Sequence, residues 1–328
     1  MEKRLPAVAM GYALVDYKQT LAEKIAFDDQ AAAEFINEAA GLHVCAGGSV
    51  ANTLVAYQRY SQSPARLYYC IGNDKRGDLF YRQTGVLLGR PQVTDQAETG
   101  CCLLNLDREG NIFDEITLDG AAASVSIPTG ELNDQNNGLV ISNVNTLRNP
   151  AVLKQTVALL QGLNRRQGVF AFRLSGAHNV LASQQEARSA VENLPAVPDV
   201  AFGNTAEIKN LLDTRDASRG LELLLPDTRV MFITDGGDEI LVRYEGDVFS
   251  LQPAAADVVD VSGAGDHFMG VTLAEMMRRP PAEWSSGHIL KAAAAGMRAA
   301  AMVLGSLDSR LPQETLRQIG GSDDDTRY

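Results

Sequence analysis

Residues Asp260 to Phe268 read Asp-Val-Ser-Gly-Ala-Gly-Asp-His-Phe, and a run of small and apolar residues follows at helical spacing. Gly263, Ala264 and Gly265 carry little or no side chain. Their backbone N–H groups can therefore crowd around one anion, and a helix starting there adds its positive dipole end. Asp266 stands at the edge of that cradle. A carboxylate beside an anion site is repelled unless it has a task. The task that fits is to take a proton from a hydroxyl as that hydroxyl attacks a phosphoryl group. An ordinary Gly-rich turn capped by Asp266 accounts for the same residues without chemistry, because motifs this short recur by chance. The surrounding sequence decides between the two.

Three further constellations bear on it. In Gly47-Gly48-Ser49-Val50-Ala51-Asn52-Thr53 the paired glycines let a ligand approach backbone N–H groups, and Asn52 offers both donor and acceptor to a diol. The competing reading is a helix start capped by Ser49. Asp16 follows the apolar run Ala7 to Val15, which reads as a buried first strand delivering a carboxylate at its carboxyl end. In Phe202-Gly203-Asn204-Thr205-Ala206-Glu207 a strand ends in Asn, and Glu follows on the first helical turn. Two hard oxygen ligands on one face suit water-mediated Mg²⁺ beside phosphates, and the same pair suits a capping box. Thr234 and Gly236 follow a strand, as either a nucleotide contact or a tight turn.

The Asp-Val-Ser-Gly-Ala-Gly-Asp run resembles the second signature of the ribokinase-like (PfkB) carbohydrate and nucleoside kinases, with Val261 in place of the usual Thr. Gly-Gly-Ser-x-Ala-Asn-Thr resembles the adenosine-kinase-like members. The resemblance implies the following roles. Gly263, Ala264 and Gly265 form the anion hole for the transferred phosphoryl group, and Asp266 is the catalytic base. Asp260 lies beside a monovalent-cation (K⁺) site. Asp16, Gly47, Gly48 and Asn52 bind the acceptor's hydroxyls. Asn204, Thr234 and Gly236, with Gly263 and Gly265, contact ATP, and Glu207 with Asn204 holds Mg²⁺ through water. It also implies a doubly wound α/β domain over residues 1–328 with a small β-sheet lid, here about 17–40 and 93–122, through which two copies could pair. The chain departs from the family pattern at Tyr12, where Asn is usual, at Glu239, where Gly is usual, and at His267. The lid hairpin has Asp114-Glu115 where an Arg would reach the phosphate. Arg173, near a strand end, is either a replacement charge or a surface residue.

The elements that must position these groups are legible as alternation. Strands are expected over 65–71, 139–142, 169–173, 200–202 and 229–234, and helices over 150–164, 183–193, 206–212 and 220–224. A hairpin over 101–118, a late hairpin over 240–252 and helices over 51–60, 265–278 and 289–304 complete the pattern. Strands alternating with helices mean a mostly parallel sheet covered on both faces, with ligands at the strands' carboxyl ends. The chain's 328 residues, 45% hydrophobic, suffice for one large core. A net charge of −12 argues against a nucleic-acid surface. No apolar run is long enough to span a membrane. Met1-Glu2-Lys3-Arg4 leads into a strand with no secretory core, so a cytoplasmic protein with free thiols is expected.

The function that follows is ATP- and Mg²⁺-dependent phosphorylation of a primary hydroxyl on a ribose-containing acceptor, a nucleoside such as adenosine leading. Tyr12 and Phe113 are the aromatic residues available to stack on a base. The alternatives are a free-sugar kinase for ribose or fructose and, in another class, a non-catalytic ligand-binding homologue. A dinucleotide oxidoreductase is disfavoured, because no Gly-x-Gly-x-x-Gly follows the first strand.

Overall fold

The computed structural model describes residues 5–321 apart from 22–26, 39–40, 90, 128–131, 133–135, 165, 176–183, 213–219, 221–222, 224 and 254. Most of the helix expected over 220–224, the acidic stretch 323–325, residues 1–4 and parts of the first lid segment lie outside the described residues.

The main sheet has the strand order β14-β13-β12-β11-β10-β9-β1-β4 among the described residues. Its parallel part comprises β1 (Ala7–Met10), β4 (Ala65–Tyr68), β9 (Leu139–Asn143), β10 (Val169–Arg173), β11 (Val200–Asn204) and β12 (Val230–Thr234). β13 (Ile240–Tyr244) and β14 (Asp247–Leu251) add an antiparallel edge. The parallel strands are almost wholly buried because both sheet faces are covered, as their continuous apolar runs require. Alternate residues feed two cores. Ala7, Ala9, Phe202 and Phe232 face the helices Ser49–Ser61, Ala264–Met276 and Ser286–Leu304. Val8, Met10, Phe170, Phe172 and Met231 face the other way, toward Pro150–Gln161.

A second sheet, ordered β3-β2-β7-β8, is built from β2 (Leu14–Thr20), β3 (His43–Ala46), β7 (Thr99–Leu106) and β8 (Ile112–Gly120). β7 and β8 pair antiparallel, as the hairpin expectation required. One face of this sheet, with Cys101, Leu103 and Ile116, packs on the helix Asp29–Glu38 through Ala32 and Ile36. The opposite face carries the row Cys45, Asp16, Cys102 and Thr117, each cross-strand partner of the next. Cys101 and Cys102 therefore point to opposite sides, as period-two alternation demands. A short parallel pair, β5 (Cys70–Gly72) with β6 (Gln92–Thr94), completes the strands.

Two expectations need correction. The run Ala7 to Val15 is not one strand ending at Asp16. It breaks at Gly11-Tyr12-Ala13 into β1 of the main sheet and β2 of the second sheet, and Asp16 sits inside β2. The run from Ala7 to Val15 is apolar on both sides of the break, so hydropathy carries no signal at the point where the chain changes sheets. The strand expected over 65–71 divides in the same way into β4 and β5.

Candidate active site

Asp266 lies in the first turn of the helix Ala264–Met276. Gly263 caps that helix at φ 82°, a left-handed conformation that glycine adopts without strain, and it offers no side-chain oxygen to the first-turn N–H groups. Ala264 N donates to Val261 O at 3.4 Å, which leaves the Gly265 and Asp266 N–H groups and the helix dipole available to an anion. Phe268, two residues beyond Asp266, packs edge-on against the stacked pair Phe202 and Phe232 at 5.9 and 5.8 Å, pinning the helix start to the middle of the sheet.

The Asp266 carboxylate is the centre of a buried network. Oδ1 accepts from Ser49 Oγ at 2.8 Å and pairs with the Arg173 guanidinium, while Oδ2 accepts from Asn52 Nδ2 at 3.2 Å. Arg173 Nη1 also donates to Ser49 Oγ at 3.2 Å. Arg173 extends from the carboxyl end of β10 and lies over Gly265 so closely that a methyl group there would overlap the guanidinium. A cation therefore stands at the anion cradle, supplied by the floor of the site. Among the described residues, Glu115, Thr117 and Asp119 share the site-facing side of β8, and none of the three is a cation. Ser175 Oγ joins the network, within 3.2 Å of Ser49 Oγ and accepting from Asn143 Nδ2 at 3.0 Å.

Asn52 is held from both ends, since its Oδ1 accepts from Arg310 Nε at 2.7 Å. Arg310 is buried, donates also to Gly47 O at 2.9 Å, and stacks over Phe80. Burial, with Arg59 nearby, lowers its pKa to about 10. Gly48 begins the Ser49–Ser61 helix at φ 85°, against the Tyr12 carbonyl, and Gly47 leaves room for the Asp16 carboxylate, which any Cβ would overlap. Asp16, 6% exposed, has its pKa pushed up to about 7 by burial, with Lys18 opposing and Glu115 adding to the rise. Asp16, Gly47, Gly48, Asn52 and Asp266 are thus neighbours in one cluster, joined through Arg310 and the Asn52–Asp266 bond.

On the other side of the cradle, Asn204, Glu207, Thr234, Arg173 and Gly265 line a small cleft at the carboxyl ends of β10, β11 and β12. Asn204 and Glu207 form a reciprocal capping box: Glu207 N donates to Asn204 Oδ1 at 2.8 Å and Asn204 N to Glu207 Oε2 at 2.9 Å. Capping and facing the cleft coexist. Gly236 is more remote, in the open tight turn joining β12 and β13. His267 is buried behind the cradle, its Nε2 accepting from Leu311 N at 3.1 Å and its Nδ1 facing Gly263 O at 3.0 Å. Burial lowers its pKa to about 4, so it is neutral and its Nδ1–H ties down the cap carbonyl. Asp260 is wholly buried on Lys18 Nζ at 2.6 Å.

Lys18, Arg310 and the Ser49 hydroxyl escaped sequence reasoning. Lys18 had a signal, being two residues from Asp16 in a strand and hence on the same face. Arg310 had none, because its loop meets the site only through folding. Tyr12, expected as a stacking platform, is instead a core residue, 7% exposed, with its hydroxyl among Arg148 and Asn149.

A buried carboxylate in the first turn of a helix at the carboxyl end of a parallel sheet is an arrangement that suits phosphoryl transfer. The pfkB family carbohydrate kinase sequence model matches residues 11–316, and the chain belongs to that family, whose members are phosphotransferases. It is 24% identical over 286 residues to a fructokinase of Vibrio alginolyticus, covering 84% of this chain and 92% of that one. The adenosine kinase of Sinorhizobium meliloti superposes with TM-score 0.78 at 18% identity, covering 97% and 98% of the two chains. The fructokinase of Vibrio cholerae, solved with fructose, ADP and calcium, superposes equally well, with TM-score 0.78, 18% identity and coverage of 97% and 99%. Likeness at this identity speaks for the shared ribokinase-like fold. No helix among the described residues is long and apolar enough to cross a membrane.

Proposed function

We propose that the protein uses ATP and Mg²⁺ to phosphorylate a primary hydroxyl of a neutral, ribose-bearing acceptor, a nucleoside leading. The observation that carries this is the 3.2 Å hydrogen bond between Asn52 and Asp266, which puts the acceptor-binding asparagine and the base on one point beside the cradle. Asp16 and Asn52 orient the sugar hydroxyls. Asp266 takes the proton as the hydroxyl oxygen attacks the γ-phosphorus. The bond from that phosphorus to the bridging oxygen breaks, and ADP leaves. The first-turn N–H groups and Arg173 stabilise the charge on the phosphoryl oxygens in flight, and in such reactions this electrostatic stabilisation lowers the barrier most. Arg173 pairs with Asp266, and phosphate oxygens would compete for the guanidinium and so release the carboxylate for its proton. Asn204 and Glu207 present hard oxygens beside the cleft and would hold Mg²⁺ through water, where the ion would neutralise phosphate charge.

A neutral acceptor is supported by the charge of its pocket. Asp16 and Glu115 stand on the same face of the second sheet, the ammonium of Lys18 is committed to Asp260, and Arg310 donates to Asn52 and Gly47 and keeps one buried nitrogen, Nη1, unpartnered. A second reading, a free-sugar kinase, draws support from Tyr12, whose burial removes one of two expected stacking platforms. An ADP-release screen over nucleosides, pentoses and hexoses tests both. Turnover of a nucleoside with none on free sugars supports the first reading and the reverse supports the second. Release with no member of either set overturns the proposal.

A further inference from the structure

Lys18 is among the largest side chains to be fully buried, and its ammonium is wrapped in oxygen. Nζ donates to Asp260 Oδ2 at 2.6 Å, Ser262 Oγ at 2.6 Å, Leu307 O at 2.7 Å and Ser309 Oγ at 2.7 Å. A carboxylate, two hydroxyls and a backbone carbonyl around one point are the hard donor set that an alkali cation takes, at distances that would suit potassium. The resemblance places a monovalent cation beside Asp260. The residues present do not leave that position to an ion, because the ammonium stands in it.

We infer that Lys18 is a covalently tethered replacement for a monovalent cation, so that this enzyme shapes its anion cradle without K⁺. Three segments meet at Nζ: β2, the loop that leads into the Asp266 helix, and the loop after the Ser286–Leu304 helix. Asp260 passes the constraint on. Its Oδ1 accepts from Ser262 N at 2.8 Å, and its Oδ2 takes the Ser262 hydroxyl, which sets the turn immediately before Gly263. A buried ammonium is stable only when paired and hydrogen-bonded, and here an anionic carboxylate and three further acceptors meet its three hydrogens. A compact ammonium on a flexible stem can fill a site built for a spherical ion, whereas a planar guanidinium cannot. Because β2 also carries Asp16, one strand delivers both the acceptor's ligand and the cation that orders the catalytic loop.

The test compares K⁺ with tetramethylammonium at constant ionic strength, reading both melting temperature and ADP release. Melting requires no turnover, so a failure of this inference is distinguishable from a failure of the kinase reading on which its activity arm rests. The wild-type protein should show no K⁺-specific rise in melting temperature and less than about a twofold change in rate. Lys18→Ala, which empties the site while leaving its oxygens, should melt lower and regain stability specifically with K⁺ or NH₄⁺. Lys18→Gln serves the same purpose if the alanine variant does not fold. A K⁺-specific activation or stabilisation of the wild type overturns the inference. So does a Lys18 variant that folds and works as well as the wild type without any response to K⁺.

Discussion

Replacing Arg173 by Gln tests the reasoning about the site at its most specific point. The guanidinium touches the Asp266 carboxylate and Ser49, and it lies over Gly265 at the cradle. Two effects of its removal oppose each other. If Arg173 only neutralises Asp266, its loss frees the carboxylate and turnover holds or rises. If it also stabilises the phosphoryl group in flight, turnover falls by what one preorganised donor at a developing charge is worth, about 10²–10³ in kcat or about 2.7–4 kcal/mol. The second effect should win, because the side chain is 16% exposed, in a low-dielectric setting where such contacts count most. Arg173→Lys keeps the charge but not the fork and should retain more activity than Gln. Asp266→Asn alone should cost about 10²–10⁴. The double variant should lose less than the product of the single losses, since both groups act in one step. The assay is steady-state ADP release with kcat and KM for both substrates, alongside a melting curve to confirm folding. A folded Arg173→Gln protein with wild-type or higher kcat would refute the role.

Asp16→Ala should raise the acceptor KM about tenfold or more, leaving an unpaired hydroxyl set worth about 1–3 kcal/mol, with KM for ATP nearly unchanged; equal affinity of the wild type for a ribonucleoside and its 2′-deoxy analogue would remove Asp16 from the site. Glu207→Gln keeps a capping oxygen and should shift the Mg²⁺ midpoint upward with little change in melting temperature, whereas an unmoved midpoint with a marked drop in melting temperature would leave only the capping role. The displaced pKa values of His267 and Asp16 act in opposite directions over the same acid interval. His267, lowered from 6.5 to about 4, supplies stability that is complete above 6.5 and lost as pH falls toward 4. Asp16, raised from 3.8 to about 7, supplies stability that is complete below 3.8 and lost as pH rises through 7. Melting curves from pH 4 to 7 should therefore tilt toward acid stability in His267→Asn and away from it in Asp16→Asn, and parallel profiles for the two variants would contradict the assignment.

Local chemistry was legible in the chain before any fold was known. The alternation of buried strands and helices from residue 139 onward specified a parallel sheet, because each element's apolar period is written in its own residues. Gly263-Ala264-Gly265-Asp266 announced a helix start with a carboxylate in its first turn, because capping and helix polarity depend only on neighbours in sequence. Asn204 and Glu207 announced both their capping box and their place beside the cleft, three residues apart on one helical turn. What tertiary structure alone decided are contacts between segments far apart along the chain. The switch of strands at Gly11-Tyr12-Ala13 moved Asp16 from the main sheet into the second one, at a point where hydropathy is uniform. Arg173 met Asp266 across 93 residues, Arg310 met Asn52 across 258, and Lys18 met Asp260 across 242. Periodicity shows which face a side chain occupies, but a pairing of opposite charges is a property of the distance between faces, and only the packed chain sets that distance.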